Sequence, residues 1–296
     1  MKDKHIPFDK SWAIRCIYLD MLAGKRDIGT QDLGNNMAAV SDDIERAWAA
    51  HNHWHNGERN LNVGESATLY RFMKYLFWHW YEEDVVLTKE GTLLKRMIEN
   101  DRSKIWGKSF EELLKLDGGT SQWASAALMC GNLNISNIDP AKMPHKFVVT
   151  LQAMAHWNVS ERYNDRWRAR KDPTIKAQAE LFEAAMNGTA RPDDWEPTQA
   201  EDYCLARAFS YMSAKEGQAR WPQLQNHESN RIVEMEKAIR AVLDDKEVIS
   251  DDHRVVQASA MLAKVINRNK VTYSNKNCVR KSWPQFWEFL KSYDKD

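Results

Sequence analysis

Apolar residues recur along this chain at helical spacing far more often than they alternate. Across Ser229–Leu243, the residues Ile232, Met235, Ile239, Val242 and Leu243 share one face of a 3.6-residue repeat, and Ser229 stands where an N-cap belongs. The same spacing predicts helices over Met37–His51, Ala67–Trp80, Ser121–Cys130, Lys146–Trp157, Thr174–Met186, Ala200–Ser213, Arg254–Ala263 and Trp283–Lys291. Extended candidates are shorter: Lys4–Phe8, Asp84–Thr88, Leu113–Leu116, Val271–Ser274, and Phe147–Thr150 if that β-branched run is not helical. Helices dominate and strands are interspersed, so an α/β or α+β fold is expected. Asn187–Gln199 carries Gly, two prolines and acidic residues, the composition of a linker.

Composition changes this picture in a few places. With 296 residues the chain is long enough for about two domains. Lys plus Arg equals Asp plus Glu at 42 each, so no global field favours nucleic acid or an anionic membrane. Any anion site has to be assembled locally. Apolar runs fall far short of the ~20 residues of a membrane helix. The start MKDKHIPFDK lacks an apolar signal core, so a cytoplasmic location is expected. The cysteines Cys16, Cys130, Cys204 and Cys278 form no CxxC pair and read as free thiols.

Six polar turns carry the candidate chemistry. Lys10-Ser11 with Arg15 one turn on would gather a hydroxyl and two cations at a helix start. Gly64-Glu65-Ser66-Ala67-Thr68 leads to Arg71. Asp117-Gly118-Gly119-Thr120-Ser121-Gln122 opens a helix of small residues. Later come His227-Glu228-Ser229-Asn230-Arg231, then Asp251-Asp252-His253-Arg254, then Cys278-Val279-Arg280-Lys281-Ser282-Trp283-Pro284. Taken singly, each also reads as a capped helix start. His51-x-His53-x-His55 puts two imidazoles on one helix face, as in some zinc sites, but no cysteine completes a set and no metal is expected.

In their order and flanks these turns resemble the EPSP synthase (3-phosphoshikimate 1-carboxyvinyltransferase) family. The family's Lys-Ser-x-x-x-Arg turn is similar to Lys10 through Arg15, and its Gly-Asn-Ala-Gly-Thr-x-x-Arg turn to Gly64 through Arg71. Its Ser-Ser-Gln start is similar to Thr120 through Gln122, and its Lys-Glu-Ser-Asp-Arg to His227 through Arg231. Its Asp-His-Arg is similar to Asp252 through Arg254, and its Cys-Val-x-Lys-Ser-Phe-Pro-x-Phe-Phe to Cys278 through Trp287. The resemblance implies a two-domain fold of repeated small α/β units, here truncated, with a ligand cleft between domains. It places 12–193 in a first domain, and 1–11 with 194–296 in a second, shortened one.

The implied activity is enolpyruvyl transfer from phosphoenolpyruvate to the 5-hydroxyl of shikimate 3-phosphate, by addition and elimination with release of phosphate. By resemblance Lys10 and Glu228 are catalytic. Arg71, Ala67, Arg231, Arg254 and Lys281 hold phosphoenolpyruvate. Ser11, Arg15, Thr120, Ser121 and Gln122 hold shikimate 3-phosphate. No cofactor or metal, no nucleic acid or membrane partner, and a monomer are implied. The chain departs from the family in length, in His227 for Lys, Asn230 for Asp, Glu65 for Asn and Ala67 for Gly. Around Trp195–Gly217 the stretch bearing the family's sugar-binding Asp is missing, and Asp202 is the carboxylate that could replace it. A non-catalytic relative keeping an anion cleft, or a transferase with another acceptor alcohol, stays open.

Overall fold

A computed structural model describes residues 5–191 and 195–294. Helix accounts for 58% of the chain. The two described strands, β1 (Asn60–Asn62) and β2 (Val86–Thr88), pair in parallel with Leu61 opposite Leu87. The fold is a mostly helical α+β one. Of the extended candidates, Asp84–Thr88 contains β2. Tyr273, within Val271–Ser274, makes an isolated bridge to Val248. Phe147–Thr150 lies inside a long helix that starts after Pro144, and Leu113–Leu116 lies in helical turns. The Phe147–Thr150 run is β-branched, but it is flanked by helix formers, and packing overrides its local preference.

The chain divides into two compact units. One is Phe8–Arg170; the other joins Met1–Pro7 to Lys171–Asp296. These boundaries differ from the 11/12 and 193/194 expected above. The difference arises because Ile175, Ala179 and Phe182 share a core with Tyr203, Met235 and Trp283, so the expected linker lies within a unit. Part of that linker, 192–194, lies outside the described residues. Among the described residues no helix is long and apolar enough to cross a membrane.

The Phe8–Arg170 unit runs α1 (Lys10–Leu22), the single-turn α2 (Asp32–Asn35), α3 (Asp42–His55), β1, α4 (Ala67–Trp80), β2, the single-turn α5 (Arg102–Ile105) and α6 (Phe110–Leu113), α7 (Gln122–Met129) and α8 (His145–Arg162). Asp9 caps α1 by accepting from Trp12 N. Every residue from Trp12 to Met21 is buried, so α1 is the central helix of the unit, packed by α3, α4 and α8. A helix buried on all sides shows no one-sided stripe, which is why its periodicity is invisible. The two charged residues within that buried stretch, Arg15 and Asp20, need internal partners and have them.

The second unit runs α9 (Pro173–Met186), α10 (Tyr203–Ala208), α11 (Ala214–Arg220), α12 (Arg231–Leu243), α13 (His253–Val265) and α14 (Phe286–Lys291). The helix expected through Ser213 stops at Ala208 because Ser210 adopts a left-handed φ of 63°. Here α13 is the central helix: residues 253–261 are all buried and contact α9, α10, α12 and a 3₁₀ turn at Asn277–Lys281. Asn230, not Ser229, caps α12, accepting from Val233 N at 3.2 Å.

Candidate functional site

In the second unit, the first turn of the central helix α13 gathers a buried charge cluster. Asp252, its N-cap, accepts from Arg254 N at 3.0 Å and receives Arg231 through Nε at 2.8 Å and Nη2 at 3.1 Å. The Ser229 hydroxyl donates to the same carboxylate at 3.1 Å. The next residue, His253, meets Glu228 through Nδ1 at 2.7 Å, and the other Glu228 oxygen meets Lys281 Nζ at 2.6 Å. Glu228 thus sits between an imidazole and an ammonium with a side chain 6% exposed. Burial, the largest single effect, pushes the Asp252 carboxyl up, but the charge and hydrogen bonds of Arg231 together with His253 leave it below its ordinary value.

Arg254, one residue on, differs from the other cations. Its guanidinium is buried, and Nη1 donates to Gln178 Oε1 at 3.1 Å. Among the described residues it forms no ion pair. A cavity of about 10 Å³, room for one water molecule or one ligand oxygen, borders it, lined by Gln178, Glu201, Cys204, Gln257 and Trp283 among others. Gln178 Nε2 in turn donates to Asp202 Oδ1 at 3.2 Å, while Asp202 Oδ2 accepts from Thr198 N and Gln199 N at 3.1 and 3.3 Å. Burial raises the Asp202 carboxyl, and these donors offset only part of the rise. Cys204 faces the same cavity, its thiol pushed up to about 12 by burial, which leaves it unreactive as a nucleophile.

The Phe8–Arg170 unit holds the remaining sequence candidates. Arg71 on α4 donates through Nε to Asp117 at 2.7 Å, and through Nη1 to Gln122 and to the Ala67 carbonyl at 3.3 Å. Gln122 Nε2 donates to Thr68 at 2.8 Å, and Trp123 Nε1 donates to Asp117 at 2.9 Å. Burial lowers the Arg71 pKa despite Asp117. Asp117 holds Arg71 from a left-handed backbone conformation, φ 50°, which costs about 1–2 kcal/mol for a residue with a side chain. Thr120 and Ser121 form the turn before α7; Thr120 Oγ1 accepts from Gln122 N at 3.4 Å.

Arg15 on α1 reaches α7 indirectly. Its Nε donates to Thr150 Oγ1 at 2.6 Å, and that hydroxyl donates to Ser125 Oγ at 2.8 Å. Arg15 also donates to the carbonyls of Ser11 and Lys146 at 2.7 and 2.9 Å. Lys10 pairs with Asp43 at 3.0 Å. Glu65 is turned onto a loop, accepting from the Thr92 backbone and hydroxyl at 3.2 and 2.6 Å. His51 contacts the Lys25 carbonyl at 2.9 Å and Asn52 Oδ1 at 3.3 Å, so both ring nitrogens are engaged.

The structure therefore joins Glu228, Arg231, Arg254, Lys281 and Asp202 in one unit. In the other it joins Arg71 with Ala67 and Gln122, and links Arg15 to α7. Glu228, Asp252 and His253 bring three potential metal-binding atoms within 4.8 Å of one another. Arg231 and Lys281 already neutralise the two carboxylates, so the donor set does not fit a cation. Gln178 was absent from the sequence candidates. Its signal was available, since it stands in the stripe Ile175, Gln178, Ala179, Phe182, where an amide on a buried face needs polar partners. Comparison with protein-family models, with curated proteins and with solved structures returns no match.

Proposed function

We propose that this chain is an enolpyruvyl transferase of the EPSP synthase type, carrying the carboxyvinyl group of phosphoenolpyruvate to an alcohol, with shikimate 3-phosphate as the acceptor. The shortened two-domain fold of that family, a cytoplasmic location and a monomeric state belong to the same proposal. The observation that carries it is the state of Arg254: a buried guanidinium, oriented by a neutral amide, with no ion pair among the described residues and a cavity beside it. A buried charge left without an opposite charge is costly, and an anionic ligand removes that cost.

The surrounding groups suit the two proton movements. In the addition step a proton adds to the methylene carbon of phosphoenolpyruvate while the acceptor oxygen bonds the adjacent carbon. Elimination then returns a proton from the methyl group to the protein and releases phosphate. Glu228, flanked by Lys281 Nζ and His253 Nδ1, can give that proton to the methylene carbon in the addition and take one back from the methyl group in the elimination. Asp202, with its raised carboxyl, is the group assigned to the acceptor hydroxyl. Arg231 keeps Asp252 ionised, and Asp252 in turn fixes the backbone of Arg254.

A second reading, a non-catalytic anion-binding relative, is favoured by one observation. Lys10, Arg71, Arg231 and Lys281 are each held by a carboxylate that a phosphate would have to displace. Mixing the protein with phosphoenolpyruvate and shikimate 3-phosphate and following phosphorus NMR separates the two. The transferase releases phosphate and forms an enol ether, and Lys281→Ala abolishes both. Ligand binding without phosphate release would overturn the transferase reading.

A further inference from the structure

The least expected feature of the second unit is the chemistry of the Arg254 partner. Lys10, Arg71, Arg231 and Lys281 all rest against a carboxylate, but Arg254 rests against an amide. A carboxylate stands one residue further along the same chain of contacts, at Asp202, and Gln178 separates it from the guanidinium. The amide has a unique orientation. Its oxygen must face Arg254, which has only donors, and its nitrogen must face Asp202, which as an ionised carboxylate has only acceptors. The reverse orientation would set N–H against guanidinium and oxygen against carboxylate.

We propose that Gln178 is a specificity-determining positioning residue: it aims Arg254 at the cavity without neutralising it, reserving the guanidinium for a carboxylate or phosphate oxygen of a ligand. An arginine already paired with a buried carboxylate must break that pair, or bind the anion at reduced attraction. An arginine oriented by an amide keeps its full charge and loses little freedom on binding. Gln178 is itself 5% exposed and is anchored at its other end, with Nε2 also approaching the Glu201 carbonyl at 3.5 Å. Asp202 is fixed in turn by the backbone N–H groups of Thr198 and Gln199, so it cannot swing to Arg254 without uncapping that turn. The inference rests on anion binding at Arg254, which the transferase reading shares, but not on the transfer reaction.

The test compares the full chain with Q178E, with Q178M and with the double variant Q178E/D202N. In the double variant the amide introduced at position 202 donates to the new carboxylate at position 178, so no like-charge pair is introduced. Calorimetric titrations with phosphoenolpyruvate and with inorganic phosphate give affinities, and thermal melts run in parallel. Q178E/D202N is expected to bind both anions about tenfold more weakly or worse, with a melting temperature equal to or above that of the unaltered protein. Q178M keeps the charge but loses the aim and should weaken binding less. A purely structural role would lower the melting temperature together with affinity. Unchanged anion affinity in Q178E/D202N, or no binding of either anion to the unaltered chain, overturns the inference. Binding that responds to Gln178 as described, with no phosphate released in the transfer assay, leaves it standing and removes the transferase reading instead.

Discussion

Replacing Asp252 by alanine is expected to destabilise the unit that contains α13 by about 3–5 kcal/mol, the cost of breaking a buried ion pair from one side. One change removes three things. Arg231, 3% exposed, loses its bidentate partner and is left charged in the core. The α13 N-terminus loses the cap on Arg254 N, worth about 1 kcal/mol by itself. The Ser229 hydroxyl loses its acceptor. A thermal melt should show a fall of more than about 10 °C for a unit of this size; a shift within about 2 °C would show that the pair is dispensable. Asp252→Asn keeps a capping oxygen but loses the charge, and should fall in between.

The same residue sets a pH dependence. The folded-state pKa of Asp252 lies below the unfolded value, so its contribution is fully present above the ordinary carboxylate range of about pH 4. That contribution is lost as pH falls through the lower, folded value. Asp202 acts in the opposite sense. Its folded pKa is raised, so protonation favours the folded state, and stability declines as pH rises from the unfolded value through the folded one. Urea midpoints measured across acid pH should therefore drop less steeply in Asp252→Asn and more steeply in Asp202→Asn than in the unaltered protein.

What could be read in the sequence follows from how one-sided each element is. Ala67–Trp80 was legible to the residue because Ser66 caps it, Tyr81 ends it in a left-handed turn and its buried face repeats at helical spacing. The central helix Lys10–Leu22 shows in the sequence only at its start, the Lys10-Ser11 turn, since its faces are buried all round from Trp12 to Met21 and leave no stripe. The helix expected at Met37–His51 starts at Asp42 and runs to His55, because Ser41 and the acidic residues after it favour a helix start there. Lys10, Arg71, Arg231, Arg254 and Lys281 stand out as charges in polar turns, and Asp117, Glu228 and Asp252 stand in the same set of turns. Their pairing does not show in the sequence, since Asp117 lies 46 residues from Arg71 and Gln178 lies 76 from Arg254. Periodicity finds the helix, but only tertiary packing tells which carboxylate neutralises which cation.

Asp20→Ala should be the most damaging change in the Phe8–Arg170 unit. Asp20 is fully buried on α1, and its carboxylate accepts Gly29 N at 2.6 Å, Trp167 Nε1 at 2.8 Å and Trp157 Nε1 at 2.8 Å, with Lys25 Nζ 3.9 Å away. Hydrogen bonds to an ionised acceptor are roughly twice as strong as neutral ones. Truncation strands two buried donors, each costing about 1–3 kcal/mol, and the half-buried Trp157 indole, and leaves a cavity besides. A loss of about 4 kcal/mol or more is expected even without full additivity. Asp20→Asn retains one acceptor oxygen but turns an amide N–H toward another donor, so it should lose less than alanine yet remain strongly destabilised. The knot also explains Gly29: a Cβ there would lie 2.6 Å from the Trp167 ring, so Gly29→Ala should push Trp167 off the carboxylate and reproduce part of the Asp20 defect. Urea unfolding followed by tryptophan emission reads both effects, because Trp157 and Trp167 report on the carboxylate directly. An Asp20→Ala midpoint close to that of the unaltered chain would mean that water replaces the carboxylate at little cost, and that this unit is held by its apolar core alone.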